Sequence, residues 1–486
     1  MTETTNAPLP AITANSLPAL KEAPETPFLL STSSGELTCE SVLRFLPGKR
    51  LVVKAELNGR KVVTKCFYGE KAERDLKREL DGINGFINSG VNTPELVAHC
   101  SNPELSIAAT ACLEPVESFE QVWHKELSDE ERKRWLTEIA CILASMHKAG
   151  VCQHDIHLDN LLLHKDELFL IDGGGARVSK TLQPKDALEN LALFQAVLYP
   201  KYDKFIPDLW STYDQKVPVF TQKFSLKNFS LLVQQKRKWR ERFVQKSLRN
   251  CTQFRVSKSW HEFLSVNKSE DSPELQALLA NPEPYIEAGT VLKRGKTNTV
   301  SIVTLDNGIQ VFVKRYKSKK GFLHKYLRCL TRSRARISWL NGHLLDMLGV
   351  NTPTPLAMKE NRFGPITTCS YIVTLFQPSP HLLEWFIQET LPENCKDVRD
   401  EVGDMLESLK RALIFHGDMK ATNILLINGK PSLIDLDAMK SYKDPKKFRK
   451  VHKQDVKRFA RNWENTPKAA ALFESIIRRL YSDLDT

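Results

Sequence analysis

The chain has 486 residues, 41% hydrophobic and 26% charged, which is the balance of an ordinary folded protein and excludes a collagen-like, disulfide-framed or wholly disordered one. One core is too few for this length, and about two to three domains are expected. Seventy Lys+Arg against 58 Asp+Glu give a formal charge of +12, which favours an anionic partner without choosing among nucleic acid, acidic lipid and a phosphorylated sugar.

No apolar run approaches the ~18 residues of a membrane-spanning helix. The first 13 residues carry no basic group ahead of an apolar stretch, so no secretory signal is expected. Ten cysteines run from Cys39 to Cys395 without a CxxC pair, which fits reduced thiols and a cytoplasmic location.

In chain order, residues 1–36 are rich in Ala, Pro, Thr and Ser and read as a disordered tail. Residues 51–68 alternate and contain Asn58-Gly59, a hairpin with the positive φ its turn needs. A helix follows, capped at its end by Gly90. The next helix starts at Ser128 with Glu131 as its capping-box partner, and Trp135, Ile139, Ile142, Leu143 and Met146 form its apolar stripe. The sequence then repeats. GVNTPELVA at 90–98 returns as GVNTPTPLAM at 349–358, and VVTK at 62–65 as VFVK at 311–314. HDIHLDNLLL at 154–163 returns as HGDMKATNILL at 416–426, and FLID at 169–172 as SLID at 432–435. Four pairs in the same order mark a duplicated domain, with boundaries expected at 37–248 and 249–486. The second copy repeats the hairpin at 301–316, the glycine cap at Gly349 and the apolar stripe at Val398, Val402, Met405, Leu409 and Leu413.

The polar residues of each copy keep fixed distances. Asp155 precedes Asn160 by five residues and Asp172 follows twelve later; Asp418, Asn423 and Asp435 repeat both intervals. This D-x4-N…D pattern suits phosphoryl transfer: the first Asp orients the attacking hydroxyl, while Asn and the second Asp hold Mg²⁺ between the phosphates of ATP. Lys65 and Lys314 sit on strands where they can neutralise those phosphates. Taken singly, such residues are more often loop or edge charges; their ordered recurrence makes the difference.

These motifs resemble the lipopolysaccharide kinase family (WaaP/InaA type), a branch of the protein-kinase-like fold. The resemblance rests on HGDMKATNIL, SLIDLDAM, SRARISWLNGHLLDMLGVNTPTPLAM and DVKRFARNW in the second copy, and on KREL…SGVNTPEL, HDIHLDNLLL and LFLIDGG in the first. It implies an α+β protein of two tandem bilobal kinase-like domains, each with a small β-rich N-lobe and a mostly helical C-lobe. It also implies a kinase using ATP and Mg²⁺ to phosphorylate a sugar of the lipopolysaccharide core, in the cytoplasm or peripherally at the inner membrane. Carried over residue by residue, Asp155 and Asp418 become catalytic bases and Asn160, Asp172, Asn423 and Asp435 metal ligands. Lys65 and Lys314 become the ATP lysines, with Glu79 as the helix partner of Lys65. The second copy has Ser338 where Glu79 is expected, with Asp346 as a substitute acid, and Lys420 replaces His157 of the first copy. Asp172 leads into GGG where the second copy has Leu436-Asp437. Gly48 and Gly295 mark the phosphate-covering turns, although neither lies in a full GxGxxG.

The acceptor is expected to be small or a glycolipid. Only 51 residues follow Asp435, and the one Ala-Pro-Glu, at 23–25, lies in the tail, far from where a peptide-docking lobe carries it. Residues 314–336 hold ten Lys+Arg and no acid, and 440–461 hold ten against two acids. Lys317, Lys319, Lys320 and Lys325, beside Phe322, Leu323, Tyr326 and Leu327, are candidates for contact with lipid A phosphates or the inner-membrane surface. Nucleic acid is disfavoured because no RNP, KH or finger pattern is present. A pseudokinase scaffold and a protein Ser/Thr kinase are the alternatives left open.

Overall fold

The computed structural model describes residues 9–317, 332–388 and 391–482. The chain has mixed α/β content and divides into two compact units: residues 1–198 with 204–236, and residues 199–203 with 237–486. The junction thus falls about a dozen residues ahead of the expected boundary at 248/249, and a short stretch near residue 200 belongs to the second unit.

The first unit opens with a seven-stranded sheet: β1 (Ala11–Ile12), β2 (Phe28–Thr32), β3 (Gly35–Leu46), β4 (Arg50–Leu57), β5 (Arg60–Phe67), β6 (Leu96–Ser101) and β7 (Ser106–Ala111). Their order across the sheet is β1-β2-β3-β4-β5-β7-β6. Asn58 (φ 51°) and Gly59 (φ 75°) both take positive φ between β4 and β5, the two-residue turn the sequence announces. Helix α1 (Ala72–Asn88) joins β5 to β6 and ends before Gly90.

From residue 11 onward the expected disordered tail is corrected by this sheet; residues 1–8 lie outside the described residues. Leu17, Phe28 and Leu30 are fully buried in its core beside Leu37 and Val53. Composition averaged over the segment hides them, yet each buried side chain contributes ~1.5–3 kcal/mol, enough to order a short stretch that also gains strand hydrogen bonds.

The rest of the unit is mostly helical. It comprises β8 (Glu117–Ser118), α2 (Phe119–Trp123), α3 (Asp129–Lys148), β9 (Val151–Gln153), β10 (Leu161–His164), β11 (Glu167–Leu170) and β12 (Ala176–Val178), then α4 (Pro184–Val197), α5 (Ile206–Lys216), α6 (Pro218–Thr221) and α7 (Leu226–Arg237). Ser128 and Glu131 form the capping box on α3. Trp135, Ile139, Leu143 and Met146 are buried.

The second unit begins at α8 (Trp239–Phe243). Its seven-stranded sheet contains β13 (Phe254–Lys258), β14 (Glu262–Asn267), β15 (Thr290–Arg294), β16 (Asn298–Thr304), β17 (Gln310–Lys317), β18 (Pro355–Phe363) and β19 (Ile366–Leu375). Between β14 and β15 lie α9 (Pro273–Ala280) and α10 (Pro282–Ala288); α11 (Arg334–Met347) precedes β18. The strand order is β13-β14-β18-β19-β17-β16-β15. Five strands therefore recur in one order, β3-β4-β5-β7-β6 matching β15-β16-β17-β19-β18, and each unit extends the opposite edge with two strands of its own. Lys65 on β5 pairs with Val52 and Ala108; Lys314 on β17 pairs with Val300 and Ile372, so both lysines occupy the same place in the shared five.

The helical part comprises α12 (Leu382–Phe386), α13 (Cys395–Arg411), β20 (Ile414–Phe415), β21 (Ile424–Ile427), β22 (Lys430–Leu433), β23 (Lys440–Ser441), α14 (Pro445–Arg461) and α15 (Pro467–Ser482). Its core is aromatic: Trp463 stacks on Phe473 at 4.7 Å, and Phe386 and Phe459 meet them edge-on. Lys319, Lys320, Lys325 and Arg328 of the basic cluster, with the neighbouring Phe322, Leu323, Tyr326 and Leu327, lie outside the described residues. The rest of that cluster is largely spent inside the fold. Lys314, Arg315, Arg334 and Arg336 pair with Asp435, Glu283, Asp437 and Glu360, so they are no open basic face.

Candidate active site

Each aspartate that follows the apolar strand sits in a left-handed backbone conformation, Asp172 at φ 67°, ψ 62° and Asp435 at φ 62°, ψ 53°. That region costs a non-glycine residue on the order of 1 kcal/mol, and glycine would fill it freely. A carboxylate held there in both units is a position where the side chain outweighs the backbone.

In the first unit Lys65 Nζ lies 2.7 Å from Asp172 Oδ1 and 2.7 Å from Glu79 Oε1, so strand β5, helix α1 and the turn after β11 meet at one ammonium group. Glu79 is almost fully buried, and its second oxygen accepts the Gly174 N–H at 2.9 Å. Helix α1 can come this close because position 82 is glycine: a Cβ there would stand 2.0 Å from the Gly173 carbonyl oxygen. Burial alone would raise the Asp172 carboxyl, but Lys65, with Arg50 and Arg44 further off, holds it below the ordinary value.

In the second unit Lys314 Nζ lies 2.5 Å from Asp435 Oδ1. Its other carboxylate is Asp437, at 3.2 Å, which also accepts from the Tyr316 hydroxyl at 2.8 Å and Arg334 at 2.7 Å. Asp346, the substitute anticipated from the sequence, is not this partner. Burial would raise Asp437, yet Lys314, the Tyr316 hydroxyl and Arg334 together keep it below the ordinary carboxylate value.

The early aspartates differ more. Asp418 Oδ1 is 3.1 Å from Lys420 and 3.3 Å from Arg458, and Asn423 Nδ2 donates to its other oxygen at 3.3 Å. The Asp155 carboxylate pairs with His157 Nε2, at 3.0 Å, and its side chain is 66% exposed against 32% for Asp418. Both asparagines donate to the carbonyl of the aspartate five residues back, Asn160 to Asp155 at 2.6 Å and Asn423 to Asp418 at 2.8 Å. This turns each amide oxygen into the end left for a cation.

Two anchors have no counterpart among the residues expected from the sequence. Asp455 on α14 accepts the His416 N–H at 2.7 Å and the Gly417 N–H at 3.1 Å, fixing the loop that carries Asp418. Burial pushes its carboxyl up from 3.8 to about 6, the backbone donors offsetting part of that. In the first unit a neutral amide takes this role: Asn190 on α4 accepts the Gln153 N–H at 3.3 Å and donates to the Gln153 carbonyl at 2.6 Å. Gln153, not His154, is thereby the counterpart of buried His416. Asp455 is visible in the sequence as part of DVKRFARNW, but its anchoring contact is long-range and has no local signature.

The glycines expected to cover phosphate are turn residues in both units. Gly48 links β3 to β4 at φ 68° with open space around it, and Gly295 is closed in by Asn298. Beside the second turn opens a cavity of about 570 Å³, lined by Leu292, Val300, Lys314, Leu425, Asn423 and Asp435 among others. Its walls come from the sheet above and from β21 and the Asp435 turn below. Apolar sides with a few convergent polar groups at one end are the usual composition of a small-molecule site. Among the described residues no cluster of three or more His, Cys, Asp or Glu could hold a metal by itself, so any cation here relies on the asparagines as well.

The model of the lipopolysaccharide kinase (Kdo/WaaP) family matches residues 63–196 and again 291–478, the two stretches that contain these sites. No curated protein sequence matches. Among solved structures, the chain is similar to WaaP in complex with acyl carrier protein, at 20% identity and a TM-score of 0.32, over 41% of this chain and 88% of that one.

Proposed function

Because the chain belongs to the lipopolysaccharide kinase (Kdo/WaaP) family, a family of phosphotransferases, we propose that it transfers the γ-phosphoryl group of ATP to a sugar hydroxyl of the lipopolysaccharide inner core. We read it as two tandem bilobal kinase-like domains, each sheet forming a lobe above the helical part. The observation that carries this reading is the lysine–aspartate contact between strand and turn, present in both units at 2.7 Å and 2.5 Å. A duplicated lysine aimed at a strained aspartate is what phosphate neutralisation and metal binding require, and a structural salt bridge does not need the strain.

Asp418 and Asp155 would accept or orient the acceptor hydroxyl, Lys420 and Arg458 steering the Asp418 carboxylate. Asn423 with Asp435, and Asn160 with Asp172, would hold Mg²⁺, which when bound neutralises the charge on the transferring phosphates. Lys314 and Lys65 would lie along those phosphates. The cavity of about 570 Å³ is of a size to take a nucleotide base between Leu292 and Val300 on one side and Leu425 on the other. Outside it, α14 exposes Lys446, Lys447, Lys450, Lys453 and Lys457 while burying Phe448, Val456 and Phe459. That face suits the phosphates of lipid A or an anionic leaflet. No described helix is long and apolar enough to cross a membrane.

Phosphate transfer from labelled ATP to dephosphorylated core oligosaccharide, run beside casein-like peptides and with Mg²⁺ withheld, tests this. The expected result is metal-dependent labelling of the oligosaccharide alone. Labelling of peptides instead would make it a protein kinase, and nucleotide binding without transfer would make it a scaffold.

A further inference from the structure

The two sites place their second carboxylate on different elements. Counting from the paired aspartates, Gly174 of the first unit and Asp437 of the second are the same position, two residues after Asp172 and Asp435. The helix register agrees. Three residues beyond Glu79, Gly82 lets α1 touch the Gly173 carbonyl; three beyond Ser338, Asn341 donates to the Leu436 carbonyl at 2.9 Å. Ser338 therefore stands where Glu79 stands. The strand position two after the lysine changes as well, from Phe67 to Tyr316, whose hydroxyl reaches Asp437 at 2.8 Å and lies 3.5 Å from Ser338 Oγ.

The two arrangements exclude each other. With Glu79 pinned by Lys65 and the Gly174 N–H, a Cβ at position 174 would stand 2.9 Å from Glu79 Oε2. Any carboxylate there would also face Glu79 at like-charge distance. In the second unit the helix residue has shrunk to serine, and the space is filled by a carboxylate arriving from the turn. Its side chain is only 7% exposed, and three donors hold it.

We propose that Asp437 is the positioning residue for Lys314, a carboxylate relocated from helix to turn, so that the second site is complete and does not lack a partner for its lysine. This rests on reading the second site as one that binds ATP. It puts Asp437, and not Asp346, in the place of the helix glutamate. It also makes positions 316, 338 and 437 one set that exchanges together, with Tyr316 and Arg334 holding the relocated carboxylate.

The test is steady-state turnover of the full chain in an Asp155→Asn background, where activity reports the second site. Asp437→Asn is expected to raise KM for ATP by roughly 10- to 100-fold, the scale of one charge-assisted bond, with a smaller change in kcat. The melting temperature serves as the folding control. The exchange Tyr316→Phe/Ser338→Glu/Asp437→Gly, which installs the first unit's set, is expected to recover KM to within about three-fold of the parent, whereas Asp437→Gly alone does not. An unchanged KM in Asp437→Asn, or a folded triple variant without recovery, overturns the proposal. A raised Mg²⁺ requirement at unchanged ATP affinity also overturns it, by making Asp437 a metal ligand. Absence of turnover in the Asp155→Asn background, with Asp437 intact, overturns the ATP-site reading itself and is thereby told apart from the other failures.

Discussion

The first site is tightly braced at its lysine and loose at its proposed base; the second is braced at both. Lys65 is held by two carboxylates from two elements, one of them almost fully buried, while Asp155 stands two-thirds exposed beside a single histidine. Lys314 has two carboxylates from one turn, and Asp418 has Lys420, Arg458 and Asn423 around it. Both units thus keep the strand lysine, the aspartate in the left-handed turn and the asparagine bonded to the carbonyl of the earlier aspartate, and differ in the groups around them. The pair that reaches from sheet to turn is kept twice, and what varies is how each member is held.

The largest expected effect on stability separates the two lysines. Lys65→Ala strands Glu79 in the interior with one backbone donor, and breaking such a buried pair typically costs ~3–5 kcal/mol. Lys314→Ala leaves Asp437 its bonds to Tyr316 and Arg334, so a loss nearer ~1–2 kcal/mol is expected. Urea unfolding of both variants measures the difference, and equal losses would erase this contrast between the sites.

Next in size is the pH response of the loop anchors. Asp455 has its folded value raised from 3.8 to about 6, so its contribution to stability is full below its unfolded value and is lost as pH rises through about 6. A rise of that size corresponds to up to ~3 kcal/mol. Asp455→Asn, which copies Asn190 of the first unit, is expected to flatten the stability profile between pH 4 and 6, as read by thermal unfolding across that window. A slope that survives the substitution would assign it to another group.

Smaller again is the helix approach. Gly82→Ala sets a methyl 2.0 Å from the Gly173 carbonyl oxygen and should cost ~1–3 kcal/mol by overpacking. Asn341→Ala, its counterpart, forfeits two hydrogen bonds to Leu436 and Met439 and should cost ~1–2 kcal/mol. The smallest change is expected from Arg458→Ala, an exposed side chain that pairs with Asp418 and donates to the Gly417 carbonyl, worth ~1 kcal/mol to the fold, with its consequence in the loop that carries Asp418. A melting temperature lowered as far as that of Gly82→Ala would show that Arg458 supports the fold itself.

Local signals make the hairpin at Asn58-Gly59, the capping box at Ser128 and the glycine after α1 legible in the sequence, because each depends on a few adjacent residues. The internal repeat is legible because four motifs recur in order. The N-terminal strands are not, for the opposite reason: Leu17, Phe28 and Leu30 are sparse in a polar segment, and only the sheet they join explains them. Asp437 stands out in the sequence as a departure from GGG but not as a partner for Lys314, since 123 residues separate the two and no periodicity links them. Asp455 and Asn190 are hidden likewise; their bonds to backbone N–H groups 39 and 37 residues away follow from packing alone.

The central claim, two phosphotransferase sites in one chain, is tested most directly by labelled-phosphate transfer from ATP to dephosphorylated core oligosaccharide. The wild-type chain is compared with Asp155→Asn, Asp418→Asn and the double variant. Each single substitution is expected to remove its own site's share, the loss of a positioned base commonly costing ~10²–10⁴-fold there, and the double variant is expected to transfer nothing measurable. Undiminished transfer by the double variant would contradict the account outright. A single substitution that alone abolishes all transfer, while the other changes nothing, would leave one catalytic unit and one scaffold.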